Sequence, residues 1–200
     1  MKYYSIFTIF LLSLAAQAQS VESTLINEIN AERSRLGKVP CKLSKTHTKA
    51  AQLQAQWIKE SGEYSHTQTK AVHGLPFAPR FWDRGKLAGC DDLFGENLAM
   101  DIGLNTTSKD SIEAGKSIYL GWHQSKGHNE IMIEYTPDLA EVTEGACNFG
   151  VFQKVGIHLE WCPKWNAYIA VMVVGGLTDE IGSSDQDIWK AARIAKSAKR

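Results

Sequence analysis

The sequence predicts an α+β fold, built in layers rather than doubly wound. Three observations carry this. Most of the chain holds apolar residues at helical spacing. A pair of strands closes it, and the last of these, residues 168–174, is apolar without interruption. Such a run reads as a central strand covered on both faces. A chain of 200 residues suits a single domain with a proper core.

The elements follow in order. Ser20 caps a helix running to about residue 36, with Val21, Leu25, Ile26 and Ile29 on its apolar face and Gly37 as its stop. Residues 39–43 read as an extended connector. Ser44 or Thr46 opens a second helix, whose buried stripe is Ala50, Leu53, Trp57 and Ile58 and whose end is Gly62. Residues 63–92 are irregular, apart from a short helix around residues 80–87. A third helix spans about residues 108–124, with Ile112, Ile118, Tyr119 and Trp122 facing the core. Lys126-Gly127 breaks it, and His128 begins a short helical segment through Ile133. A long, somewhat acidic connection covers residues 134–150. Val155, Ile157, Leu159 and Trp161 then alternate with Gly156, His158 and Glu160, the pattern of a strand with one buried and one polar face. Residues 162–166 form the hairpin loop into the central strand, and Gly175-Gly176 ends the domain. There is no internal repeat.

Composition excludes some classes. The 22 Lys and Arg residues balance the 22 Asp and Glu residues, so no global field points to nucleic acid or an acidic substrate. No internal apolar run is long enough to span a membrane. The N-terminus reads as a secretory signal: a basic start at Met1-Lys2, an apolar region over residues 6–15 and the small-x-small site Ala16-Gln17-Ala18. The expected organisation is a leader over 1–18, a domain over 19–177 and a basic tail over 178–200, in a secreted protein. In the tail, Ile188, Trp189, Ala192 and Ala195 face a basic side; a solvated or loosely docked terminus is the plainer reading beside membrane-surface contact.

Export makes disulfides an expectation for Cys41, Cys90, Cys147 and Cys162, which contain no Cys-x-x-Cys pair. Three connectivities are open. Cys41–Cys90 with Cys147–Cys162 is favoured because the second closes a short loop, a constraint of roughly 3 kcal/mol. Asn105-Thr106-Thr107 is a glycosylation sequon that matters in a eukaryotic host.

The chemistry-bearing residues fall in three stretches: Tyr64-Ser65-His66-Thr67, Gly95-Glu96-Asn97-Leu98-Ala99, and the segment from Gly121 to Ile133 that holds Trp122, Ser125, Gly127 and His128. The scaffold can bring His66, Glu96 and His128 to one cleft. With these boxes in this order, and with Leu25-Ile26-Asn27-Glu28-Ile29-Asn30, Arg33 and Gly37 before them and Val155-Gly156-Ile157 after, the chain resembles the CAP superfamily, the SCP-domain proteins, in its bacterial-type branch. The resemblance covers about residues 20–176. It implies a three-layer α-β-α sandwich with a groove. In many members two histidines and two acidic residues line that groove, and the histidines can hold a divalent metal. Carried over, His66 and His128 are the histidine pair and Glu96 is the first acid. Ser125 stands where the second acid would be, and residues 134–150 are longer than the family pattern.

Three function classes follow. The leading one is a secreted binding protein whose groove takes a metal ion, a lipid or sterol, or a peptide. Neutral imidazoles suit Zn²⁺ or another divalent cation, and Glu96 and Ser125 would then support the ligands; two histidines hold such an ion weakly. The second is a metal-assisted peptide or ester hydrolase at the same cluster. A nucleophilic version uses Ser125 with His128 as base and Glu96 as orienter, and it lacks both a nucleophile elbow and an evident oxyanion donor. The third is a signalling or structural ectodomain, with a lipid or an extracellular protein as partner, in which the polar cluster is an internal network. Catalysis is the weaker expectation. His158 can approach the groove from its strand but reads more simply as a surface residue. His47, His73 and His123 carry no constellation. Trp57, Trp122 and Trp161 read as core, and Trp82 and Trp165 as loop residues open to a role as exposed binding aromatics.

Overall fold

The computed structural model describes residues 20–38, 40–90, 93–101, 111–133 and 154–175. The leader, the basic tail, Asn105, Cys147, the segment 134–150 and the side chain of Ile112 lie outside the described part.

Helix α1 (Val21–Arg35) starts as its sequence predicts: the Ser20 hydroxyl accepts from the Ser23 N–H at 3.1 Å. Its inner face buries Leu25, Ile26 and Ile29, together with Arg33, which donates to the Met132 carbonyl at 3.2 Å. Asn30 clamps the next segment by bonding both backbone groups of Cys41, at 2.7 and 3.0 Å. That tie fixes the connector, part of which becomes strand β1 (Lys42–Leu43).

Helix α2 (Lys45–Ser61) begins after Ser44 and ends at Gly62, whose φ of 69° places it in the left-handed region. Its stripe buries Ala50, Trp57 and Ile58; Gln54 is buried too, whereas Leu53 is only partly covered. Helix α3 (Phe81–Ala88) includes Trp82, so this residue is helical and half-buried rather than a loop aromatic. Strand β2 (Leu93–Asp101) precedes helix α4 (Ser111–Gln124) and helix α5 (Lys126–Ile133). The break between these last two helices falls at Ser125, one residue earlier than the Lys126-Gly127 expectation, and both residues start α5. Strands β3 (Lys154–Cys162) and β4 (Ala167–Gly175) close the domain as expected.

The sheet order is β1-β3-β4-β2. Strand β4 is antiparallel to both neighbours, and β1 is parallel to β3. Alternation along β4 divides the core. Ile169, Val171 and Val173 face α2 and α3; Ala170, Met172 and Val174 face α1, α4 and α5. The result is a three-layer α-β-α sandwich with β4 covered on both sides, as its uninterrupted apolar run predicts.

The same division bears on the Cys41–Cys90 half of the favoured cysteine pairing; the Cys147–Cys162 half lies outside the described residues. Cys41 packs with the α1 side of the core, while Cys90 and Cys162 pack on the α2 side. A sheet stands between Cys41 and Cys90, and no disulfide joins any two of the three described cysteines. Trp161 is half-buried, edge-on to Tyr168 with ring centroids 5.2 Å apart, rather than a core residue. Tyr119 packs, half-buried, against the α1-side core as expected, and it stacks on His123. Trp165, expected as an exposed loop residue, packs partly buried against the α2-side core.

Candidate functional site

The site is organised by β2, which the sequence did not mark as a strand. Gly, Glu and Asn are poor strand formers, so the Gly95-Glu96-Asn97 segment carries no local β signal. Pairing with β4 makes it one. Glu96 lies opposite Val173, Asn97 opposite Met172 and Leu98 opposite Val171. A register shift between Leu93 and Gly95 changes the phase of the strand, so Leu93 and Glu96 both face α2 and α3. Asn97 therefore faces α4 and α5.

On the α2 side, Glu96 is sealed, with 1% of its side chain exposed. Its Oε1 accepts from His66 Nδ1 at 2.9 Å and its Oε2 from Arg84 Nη2 at 2.6 Å. His66 comes from the irregular segment after α2. That segment is pinned rather than loose. Gln54 donates to the Ser65 carbonyl, Gln68 bonds Gln54 at 3.3 Å, the Ala78 N–H donates to Gln68 at 2.9 Å, and the Trp57 indole donates to the Lys70 carbonyl at 2.9 Å. These bonds satisfy backbone groups of a segment with no ladder of its own. The His66 ring itself is 55% exposed.

On the other side, Asn97 Nδ2 donates to the His128 carbonyl at 2.9 Å, and the Trp122 indole donates to the Leu98 carbonyl at 2.9 Å. These bonds dock α4 and α5 onto β2. Gly95 allows the approach: a Cβ there would lie 3.2 Å from Ile131 Cγ2 and 3.3 Å from Val174 Cγ2. His128 sits in the first turn of α5, and its Nδ1 bonds Ser125 Oγ at 2.8 Å. Burial first, and then the positive charge of His66, hold the His128 imidazole below the ordinary histidine range. The two histidines thus stand on opposite sides of the edge strand β2, near enough for the charge of His66 to act on His128.

The structure pairs His66 with Glu96 and His128 with Ser125, on the two sides of β2. Glu96 orients His66 and not His128, so the Ser125–His128–Glu96 relay is not assembled. Ser125 ends α4, and its carbonyl accepts from the Asn129 N–H at 2.8 Å in the first turn of α5. Glu96 has both oxygens engaged internally and is no third metal ligand. Among the described residues, no group of three His, Cys, Asp or Glu side chains is placed to hold an ion. His158 turns to Glu160 at 3.2 Å, on the α2 side of the sheet. His47 is buried at the start of α2, with its Nδ1 2.8 Å from Ser44 Oγ, and His73 is exposed. Arg84 was not singled out by sequence reasoning. The one signal was an arginine in a short helix rich in core contacts, and its acidic partner lies on another element.

No protein-family model matches the chain, and no curated protein matches it. Solved structures share its fold, two of them as follows. An outer surface protein of Borrelia burgdorferi is 16% identical, with 79% of this chain and 93% of that one covered at a TM-score of 0.53. An extracellular protein containing an SCP domain, from Bacillus anthracis, is 17% identical, with 74% of this chain and 38% of that one covered at a TM-score of 0.50. The chain therefore has the SCP-domain fold, as the order of its sequence boxes implied. Within that fold His66 is held by Glu96 on the α2 side of the sheet and His128 by Ser125 on the α5 side. Among the described residues, no helix is long and apolar enough to cross a membrane.

Proposed function

We propose that this is a secreted SCP-domain binding protein that presents Nε2 of His66 and Nε2 of His128 to an exchangeable divalent transition-metal ion, Zn²⁺ being the type. One observation carries the reading: each ring has its Nδ1 engaged within the protein, His66 on Glu96 and His128 on Ser125. A ligating histidine commonly has its other nitrogen held in this way, by a carboxylate, a carbonyl or another polar group. The lowered proton affinity of His128 adds to it, because the neutral imidazole is the ligand form. Two protein ligands are fewer than catalytic or structural zinc uses, so such an ion exchanges readily and leaves positions for water or for a donor group of a bound peptide or lipid. The leader-like N-terminus, and the extracellular and outer-surface proteins that share the fold, support secretion.

The test is zinc titration by calorimetry on the chain from residue 19, wild type beside the variant His66→Ala/His128→Ala. A saturable heat in the wild type alone is expected. No heat in the wild type, or equal heat in both, sinks the reading and leaves the polar cluster as an internal network.

A further inference from the structure

We infer that Arg84 is a positioning residue that sets the tautomer of His66, acting through Glu96. The inference deepens the reading of His66 as an Nε2 ligand, and it can be tested without metal. Arg84 is fully buried, and its two terminal nitrogens donate to four acceptors. Nη1 donates to the Ala78 and Pro79 carbonyls at 3.1 and 3.2 Å; Nη2 donates to the His66 carbonyl at 3.2 Å and to Glu96 Oε2 at 2.6 Å. Three of these acceptors belong to the segment that carries His66, and the fourth is the side chain that bonds the His66 ring. Arg84 therefore holds both the backbone and, at one remove, the imidazole of the same residue.

The chemistry that follows is directional. A guanidinium has donors only, so whatever side chain stands at position 96 must turn an acceptor toward it. With glutamate, both oxygens accept. Oε1 then accepts the hydrogen bond of Nδ1–H, and Nε2 of His66 keeps its lone pair on the exposed side of the ring. With glutamine, the amide has one acceptor and one donor end. Arg84 claims the oxygen, the amide nitrogen faces Nδ1, and Nδ1 must accept. The proton moves to Nε2 and the outward lone pair is lost.

The experiment is long-range 1H–15N NMR of the imidazoles at about pH 8, above the ordinary histidine range, with zinc calorimetry beside it. Wild type is expected to show His66 as the Nδ1–H tautomer. Glu96→Gln should invert it to Nε2–H and weaken zinc binding about 10- to 100-fold. In Arg84→Met/Glu96→Gln the amide is released to turn, and the ring should return toward Nδ1–H. An unchanged tautomer in Glu96→Gln overturns the inference, as does the same tautomer in the single and the double variant. Should the double variant not fold, the single variant against wild type decides by the same criterion. An arginine that only stabilises the fold would lower melting temperatures and leave no dependence of tautomer on the residue at position 84. Absence of zinc heat in the wild type would sink the metal reading alone; the NMR outcome would still decide the role of Arg84.

Discussion

Glu96 and Asn97 are neighbours in β2, and they reach through opposite faces of the sheet to the two histidines. Glu96 accepts from the His66 ring at 2.9 Å, and Asn97 donates to the His128 backbone at 2.9 Å. Strand alternation makes this division, and it lets a single edge strand set the position of residues from two different helical layers.

Asn97→Ala should therefore loosen the site from the α5 side. Asn97 is fully buried, and its loss leaves the His128 carbonyl without that donor. A cost of about 1–3 kcal/mol is expected, read as a lower urea midpoint with unchanged slope. Zinc heat should fall with it. An unshifted midpoint would mean that α5 docks without this bond.

Acid should destabilise the protein through His128. Its folded proton affinity is lowered, so the unfolded chain binds the proton more readily. This contribution is fully present above about pH 6.5, the unfolded value, and is lost as pH falls through the lower folded value. The melting temperature should drop across that window in the wild type and drop less in His128→Asn. Equal pH dependence in both would assign the effect to other groups.

Gly156→Ala should be costly for a packing reason. Its Cβ would stand 2.0 Å from the His47 backbone carbon and 2.2 Å from the Thr48 nitrogen, so α2 would have to move off β3. Overpacking of this kind costs about 1–3 kcal/mol or more. Gly121→Ala is the control. Nothing lies within 4 Å of its added Cβ on α4, and a gain of about 0.4–1 kcal/mol is expected. Matching midpoints for the two variants would contradict the close approach of α2 to β3.

Ser125 should not behave as a nucleophile. Its hydroxyl bonds His128 Nδ1 at 2.8 Å, but the carboxylate that would orient that histidine is turned to His66 and Arg84. A fluorophosphonate probe should leave Ser125 unlabelled by mass spectrometry, and Ser125→Ala should weaken zinc binding about 10-fold or more through loss of the Nδ1 partner. Stoichiometric labelling would restore the hydrolase reading.

The amino-acid sequence by itself determined the helical faces of α1 and α2, the Ser20 cap, the Gly62 stop and the doubly covered β4. Each of these is written locally, in spacing at a period of about 3.6 residues, in an uninterrupted apolar run, or in a single capping residue. The order of the boxes around His66, Glu96 and His128 also pointed to the fold. Tertiary structure alone decided the rest. Glu96 stands in a strand because eight paired positions along β4 outweigh the weak strand preference of Gly95, Glu96 and Asn97. The register shift near Leu93 turns the carboxylate toward α3, where Arg84 meets it. Cys41 and Cys90 are parted by the sheet. None of these has a periodic signature, because each depends on which residues lie opposite one another once distant segments pair and pack.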